Sequence, residues 1–286
     1  MRRRRSARPN VQRSVRPRTN APIGDRGAAR LEGADALDPP GRVAVHAMRM
    51  ADQSKTRARC NATPAADLER RGAKALIDTY RRLALTRGHL LEPILQGASP
   101  TQWEHYPGDD AISVDRRYQW YYHSHSLADR PGSIEHGHFH LFARMEGAAE
   151  HVDAIAERTF LSVLGEPDSE ATTRHLLCVG MSPMGVPISL FTVNRWVTGD
   201  LLLSRASTLA LLESMTLDTG NAAIVAVLTA RVELYRSDIR SLMSQRDRSL
   251  RARAAKGPGT LEDPNVEVLS ELPLDLDGRI SAALSA

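Results

Sequence analysis

Six of the chain's ten histidines lie between His105 and His140, and four of those form two His-x-His pairs, His123/His125 and His138/His140. Alternate side chains of a β-strand share a face. If each pair sits on a strand, both of its imidazoles point the same way, and two neighbouring strands of matching parity bring four imidazoles to one patch. Neutral imidazole is a ligand for zinc, iron, copper and nickel, and it is also the side chain that titrates nearest neutral pH. The spacing therefore supports a divalent transition metal, zinc or iron, held by His123, His125, His138 and His140. It equally supports a metal-free pocket in which histidines and tyrosines hydrogen-bond one another, or rings that simply pack.

The elements around the pairs have the right character. Residues 117–125 are rich in aromatics and read as a strand, and residues 137–144 read as a second, joined by a connection that carries Pro131 and Gly132. In an antiparallel ladder the numbers of opposed residues sum to a constant, and opposed residues share a face. Pairing 123 with 140 puts 125 opposite 138 and all four rings on one side, whereas a slip of one residue separates the pairs. Cα atoms within a pair would be roughly 6.5–7 Å apart along strands spaced about 4.8 Å. Three rings at such positions can reach an ion at about 2.0–2.1 Å. Glu135 and His136, just before the second strand, are candidates for a fourth ligand or a general base, and His105 and His175 for folding over the site.

A second constellation is Asn194-Arg195-Trp196-Val197-Thr198-Gly199. Arg195 is a planar five-donor group suited to a carboxylate or phosphate, so it is the candidate for holding a small anionic molecule. The alternative is a salt bridge inside the fold. Arg144, on the parity of His138 and His140, offers a second positive charge. Cys178 sits in the apolar run Leu176-Leu177-Cys178-Val179 and reads as a buried, inert thiol. No dinucleotide-type glycine loop, P-loop or Gly-x-Ser-x-Gly elbow is present, which counts against nucleotide-dependent and serine-hydrolase chemistry.

Composition separates an arm from a domain. Residues 1–60 carry 15 Lys and Arg against 5 Asp and Glu, and the remainder carries 23 against 29. The arm lacks apolar periodicity and reads as disordered. Its arginines allow nucleic-acid or anionic-lipid binding, or a targeting extension. With no aromatics between them to stack on bases, a plain flexible extension is the favoured reading, or a start placed too early, with Met48 or Met50 the true beginning. Two cysteines exclude a disulfide scaffold or a cysteine-based zinc site, no run is apolar enough to span a membrane, and cytoplasm is the expected location. Thr63-Pro64 opens a helix and Gly88 ends it. Residues 174–181 and 186–193 form a hairpin. Helices follow at about 204–216 and 222–244, as core cover or a homodimer face. Residues 251–286 read as an extended tail with a last short helix near Gly278. The expectation is one α+β domain over residues 61–250, an antiparallel sheet of four or more strands with flanking helices.

The segments Trp103-x-His105-Tyr106-Pro107, Tyr121-Tyr122-His123-x-His125, Glu135-x-Gly137-His138-Phe139-His140-x-Phe142 and Leu190-Phe191-Thr192-x-Asn194-Arg195-Trp196-Val197-Thr198-Gly199 together resemble an uncharacterised bacterial family, the domain of unknown function 6969. The likeness runs from the first helix to about residue 245. It implies no activity, cofactor or partner, and it supports treating residues 1–60 as an appendage. The residues alone thus point to a His-rich pocket that binds or acts on a small anionic molecule through a metal, or to a non-enzymatic ligand-binding or assembly protein with a metal-free pocket.

Overall fold

The computed structural model describes residues 63–102, 104–125, 134–165 and 172–286. The expected disorder of residues 1–60 lies outside them. Helix α1, Pro64–Thr86, begins as its sequence dictates: Thr63 Oγ1 accepts from the Ala66 amide, and Pro64 occupies a position whose missing N–H costs nothing. It ends with Arg87 in the left-handed region and the Gly88 amide closing on Leu83 O.

The sheet is built from β1 (Tyr106–Ile112), β2 (Tyr118–Ser124), β3 (Gly137–Arg144), β4 (Thr173–Met181), β5 (Pro187–Val193), β6 (Leu201–Leu202) and β7 (Val268–Pro273). Its order is β1-β2-β3-β4-β5-β7, antiparallel throughout, with β6 alone adding a short parallel pairing to β4. This is the expected α+β architecture. Three strands were not legible: β1 occupies a stretch that reads as a loop with an acidic turn, β6 is a two-residue pairing ahead of the helix that starts at Arg205, and β7 comes from the tail and pairs with β5.

Alternation divides the sheet. Tyr118, Trp120 and Tyr122 of β2, Phe139 and Leu141 of β3, Leu177 and Val179 of β4 and Leu190 of β5 enter one large core. That core also takes in α1, α6 (Arg205–Glu213), α7 (Ala222–Leu234), the first half of α8 (Arg236–Ala254) and Ala283 of the last helix, α9 (Leu276–Ser285). A smaller cluster joins α4 (Ala154–Leu164), Leu202, Leu250 and Leu269. The remaining short helices are α2 (Glu92–Leu95), α3 (Met145–Ala148) and α5 (Arg195–Thr198). No described helix is long and apolar enough to cross a membrane.

The opposite face carries the histidines. Among the described residues it carries a small apolar cluster, Cys178, Phe191 and Val193, beside the buried rings of Tyr121 and Phe142.

Candidate metal centre

The β2–β3 ladder pairs His123 with His138 and Tyr121 with His140. The expected pairing of 123 with 140 is therefore two residues out of register. A shift of two preserves parity, so both histidines of β3 and His123 still share one face. His125 lies just past β2, and its amide donates to His136 O, continuing the ladder. Its ring reaches the same patch, with Nε2 3.3 Å from His138 Nδ1.

Two further ligand-type side chains join from β4, because that strand bulges. Leu141 faces Leu177, but Phe142 faces His175, which leaves Leu176 as the extra residue. Without the bulge, His175 and Cys178 would point to opposite faces. With it, both lie on the histidine face: His175 Nε2 is 3.1 Å and Cys178 Sγ 3.3 Å from His140 Nδ1.

The ring nitrogens form a chain. Glu135 Oε1 lies 2.8 Å from His138 Nδ1, His138 Nε2 lies 3.0 Å from His140 Nε2, and His140 Nδ1 meets His175 and Cys178. With Glu135 ionised, its carboxylate can only accept, and His138 then carries its proton on Nδ1 and presents the Nε2 lone pair to the cluster. Gly180 makes room for that carboxylate, since a Cβ there would stand 2.6 Å from Glu135 Oε2 and against Ser189 Oγ.

Burial and aromatic walls hold the rings in place. His123, His138, His140, His175 and Cys178 are between 0% and 7% exposed. Tyr121 lies 5.0 Å from His140 with the His105 ring stacked on its outer side at 3.6 Å, and the Phe191 ring meets His138 edge-on at 4.9 Å. Burial pushes the His140 pKa well below the ordinary imidazole value, helped by the neighbouring histidines. The same desolvation, with the Arg246 charge beyond it, brings His175 down to about 3. Both are neutral at physiological pH, the form that binds metal.

Among the described residues, three groups have ligand atoms lying within 4.8 Å of one another: His125/Glu135/His138, His123/His138/His140 and His140/His175/Cys178. They share His138 and His140, and they run from a partly exposed rim to a fully buried end. Each is geometrically able to hold a metal ion.

Other sequence candidates are placed elsewhere. His136 turns to the far side of the sheet, its Nδ1 2.6 Å from Tyr122 Oη. Arg195 is the first residue of α5, its amide donating to the Asn194 cap, and it sets its Nε 2.5 Å from Glu262 in an ion pair within the fold. Arg144 bonds Gln119 and Glu146. Cys178, read as inert, is the residue that sequence reasoning left out of the centre. The signal that would have included it is the bulge, which strict alternation does not reveal.

No curated protein and no solved structure matches the chain. A family model does match, across residues 70–274. That span takes in the whole histidine face, so the chain belongs to the family described as a domain of unknown function, DUF6969.

Proposed function

We propose that the histidine face is a transition-metal centre, in which His123, His138 and His140 hold a divalent first-row ion, zinc or iron. The observation that carries this reading is the contact between Glu135 and His138 Nδ1, 2.8 Å. It fixes the tautomer and aims the Nε2 lone pair at His140, an arrangement in which a carboxylate behind a histidine orients it and raises its basicity as a ligand. The spacing of two of the three nitrogens agrees. A tetrahedral ion with bonds of about 2.0–2.1 Å has ligands about 3.3 Å apart, and His138 Nε2 and His140 Nε2 are 3.0 Å apart. His125, on the rim side of His138, is the nearest addition to the three.

Three neutral imidazoles leave the ion its full charge and an open coordination position, which is what a small anionic oxygen ligand needs in order to bind or be polarised. On this reading the domain binds, or acts on, a small anion at the ion itself. Arg195 is not required for it. Glu135 serves as the orienting carboxylate and His136 as a partner of Tyr122.

The metal-free pocket has one observation in its favour. The contacts from Glu135 through His138 and His140 to His175 are all at hydrogen-bond distance and satisfy one another with one proton per ring. That chain ends on His175 Nδ1, a buried atom with no hydrogen-bond partner.

Competition titration with zinc separates the readings. The full chain should bind zinc stoichiometrically, Glu135→Gln should weaken it about 10–100-fold, and His138→Ala should abolish the high-affinity phase. Equal affinity in wild type and His138→Ala would reject the metal centre and leave the metal-free pocket.

A further inference from the structure

We infer that the centre has a second, inner ion position, formed by His140, His175 and the thiolate of Cys178, with His140 bridging it to the outer ion. The inference rests on the outer site proposed above and extends it to residues that site does not use.

The geometry is that of a mixed nitrogen and sulfur ligand set. His140 Nδ1, His175 Nε2 and Cys178 Sγ stand 3.1 and 3.3 Å apart, with Cys178 Sγ also 3.3 Å from His175 Nε2. Zinc bonds of about 2.3 Å to sulfur and 2.0–2.1 Å to nitrogen put tetrahedral ligands roughly 3.3–3.5 Å apart, so little movement is needed. Cys178 and His140 are fully buried and His175 nearly so. All three come from the two central strands, β3 and β4, whose backbone is fixed by pairing on both sides. The bulge at Leu176 places His175 beside Cys178 on one face while Leu176 and Leu177 both enter the apolar core on the other.

The two positions are coupled through His140. When Nε2 of that ring binds the outer ion, its proton must reside on Nδ1, facing a thiol sulfur and an imidazole nitrogen. A second cation replaces that proton. Loading the inner position therefore releases the Cys178 thiol proton and the His140 ring proton to solvent, leaving an imidazolate that joins the two ions. The ligand set is softer than the outer one, so it suits zinc or another thiophilic ion rather than magnesium or calcium. The way in is marked by the shared residues. The group His125, Glu135 and His138 shares His138 with the outer three, and the outer three share His140 with the buried end, so an ion moving inward keeps one ligand at each step.

Cobalt(II) titration of the demetallated full chain tests this, because thiolate coordination gives a near-ultraviolet charge-transfer band that imidazole does not. Wild type is expected to take up two equivalents, with the band growing during the second. Cys178→Ser should keep the first equivalent, lose the second and lose the band. Cys60→Ser, which removes the chain's other thiol, should keep both, so the band is assigned even if Cys178→Ser folds poorly. Saturation at one equivalent without the band would overturn the inner position while leaving the outer one standing. No cobalt bound at all would overturn both.

Discussion

On β2, Tyr118, Trp120 and Tyr122 point into the helices, while Tyr121 and His123 point the other way; β3 divides Phe139 and Leu141 from His138 and His140 in the same manner. The two faces share one backbone and one set of ladder hydrogen bonds, yet they bury opposite chemistry. The first is filled by large apolar side chains, with Trp120 Nε1 donating to Thr219 O and the buried Arg231 guanidinium lying over the Tyr235 ring. The second buries five ligand-type side chains, of which the His138, His140 and His175 rings meet in a chain at hydrogen-bond distance that leaves His175 Nδ1 without a partner. Burying polar groups costs free energy unless they are paired. The first face therefore carries the stability of the domain, and the second draws on it to hold reactive groups dry and fixed.

The sharpest way to break that contrast is on the core face. Trp120→Ala should cost about 3–5 kcal/mol in urea unfolding, and the fraction that remains folded should bind zinc as wild type does. If metal affinity fell in step with stability, the faces would not be separable.

Acid should act on the other face. His140 and His175 are depressed in the folded protein and ordinary in the unfolded chain, where imidazole titrates near 6.5. Below that value the unfolded state takes up protons that the folded state refuses. Metal-free stability should therefore fall as pH drops from 6.5 toward 3, each group adding up to about 1.4 kcal/mol per pH unit to the slope. His175→Leu should remove one group's share, measured as a flatter dependence of the urea midpoint on pH. An unchanged slope would place the acid sensitivity elsewhere.

Much of this division was legible from residue order. The alternation in Tyr121-Tyr122-His123 and His138-Phe139-His140 fixed which side chains travel together, and the caps at Thr63 and Gly88 placed α1. Register was harder, because alternation is blind to a shift of two: pairing 123 with 140 or with 138 leaves every face the same, and only the backbone chooses. The bulge was harder still. His175 and Cys178 are three apart, so a regular strand puts them on opposite sides, and a single extra residue at Leu176 reverses that. The strand β7 was hidden for another reason. Val268-Leu269-Ser270-Glu271-Leu272-Pro273 is an edge segment with a proline and two polar residues, weak in every local signal, and it is placed by the partner it finds in β5.

A smaller effect probes the join between faces and site. Gly180→Ala should cost about 1–3 kcal/mol through overpacking, and by displacing Glu135 from His138 it should also weaken zinc binding about 10-fold. A stability loss with no change in affinity would mean that the carboxylate does not orient the ligand. Smallest of all should be His123→Leu in the metal-free protein. Replacing a buried polar ring by an apolar group of similar bulk should shift stability by no more than about 1 kcal/mol, while removing a ligand of the outer ion. A large destabilisation would show the histidines to be structural.

The most direct measurement is anomalous scattering at the zinc edge from crystals of the zinc-loaded full chain. A peak is expected bonded to His123, His138 and His140, at about 2.0–2.1 Å from each coordinating nitrogen. Crystals of fully loaded protein in which zinc scatters only from surface residues, with the histidine face empty, would contradict the proposed centre.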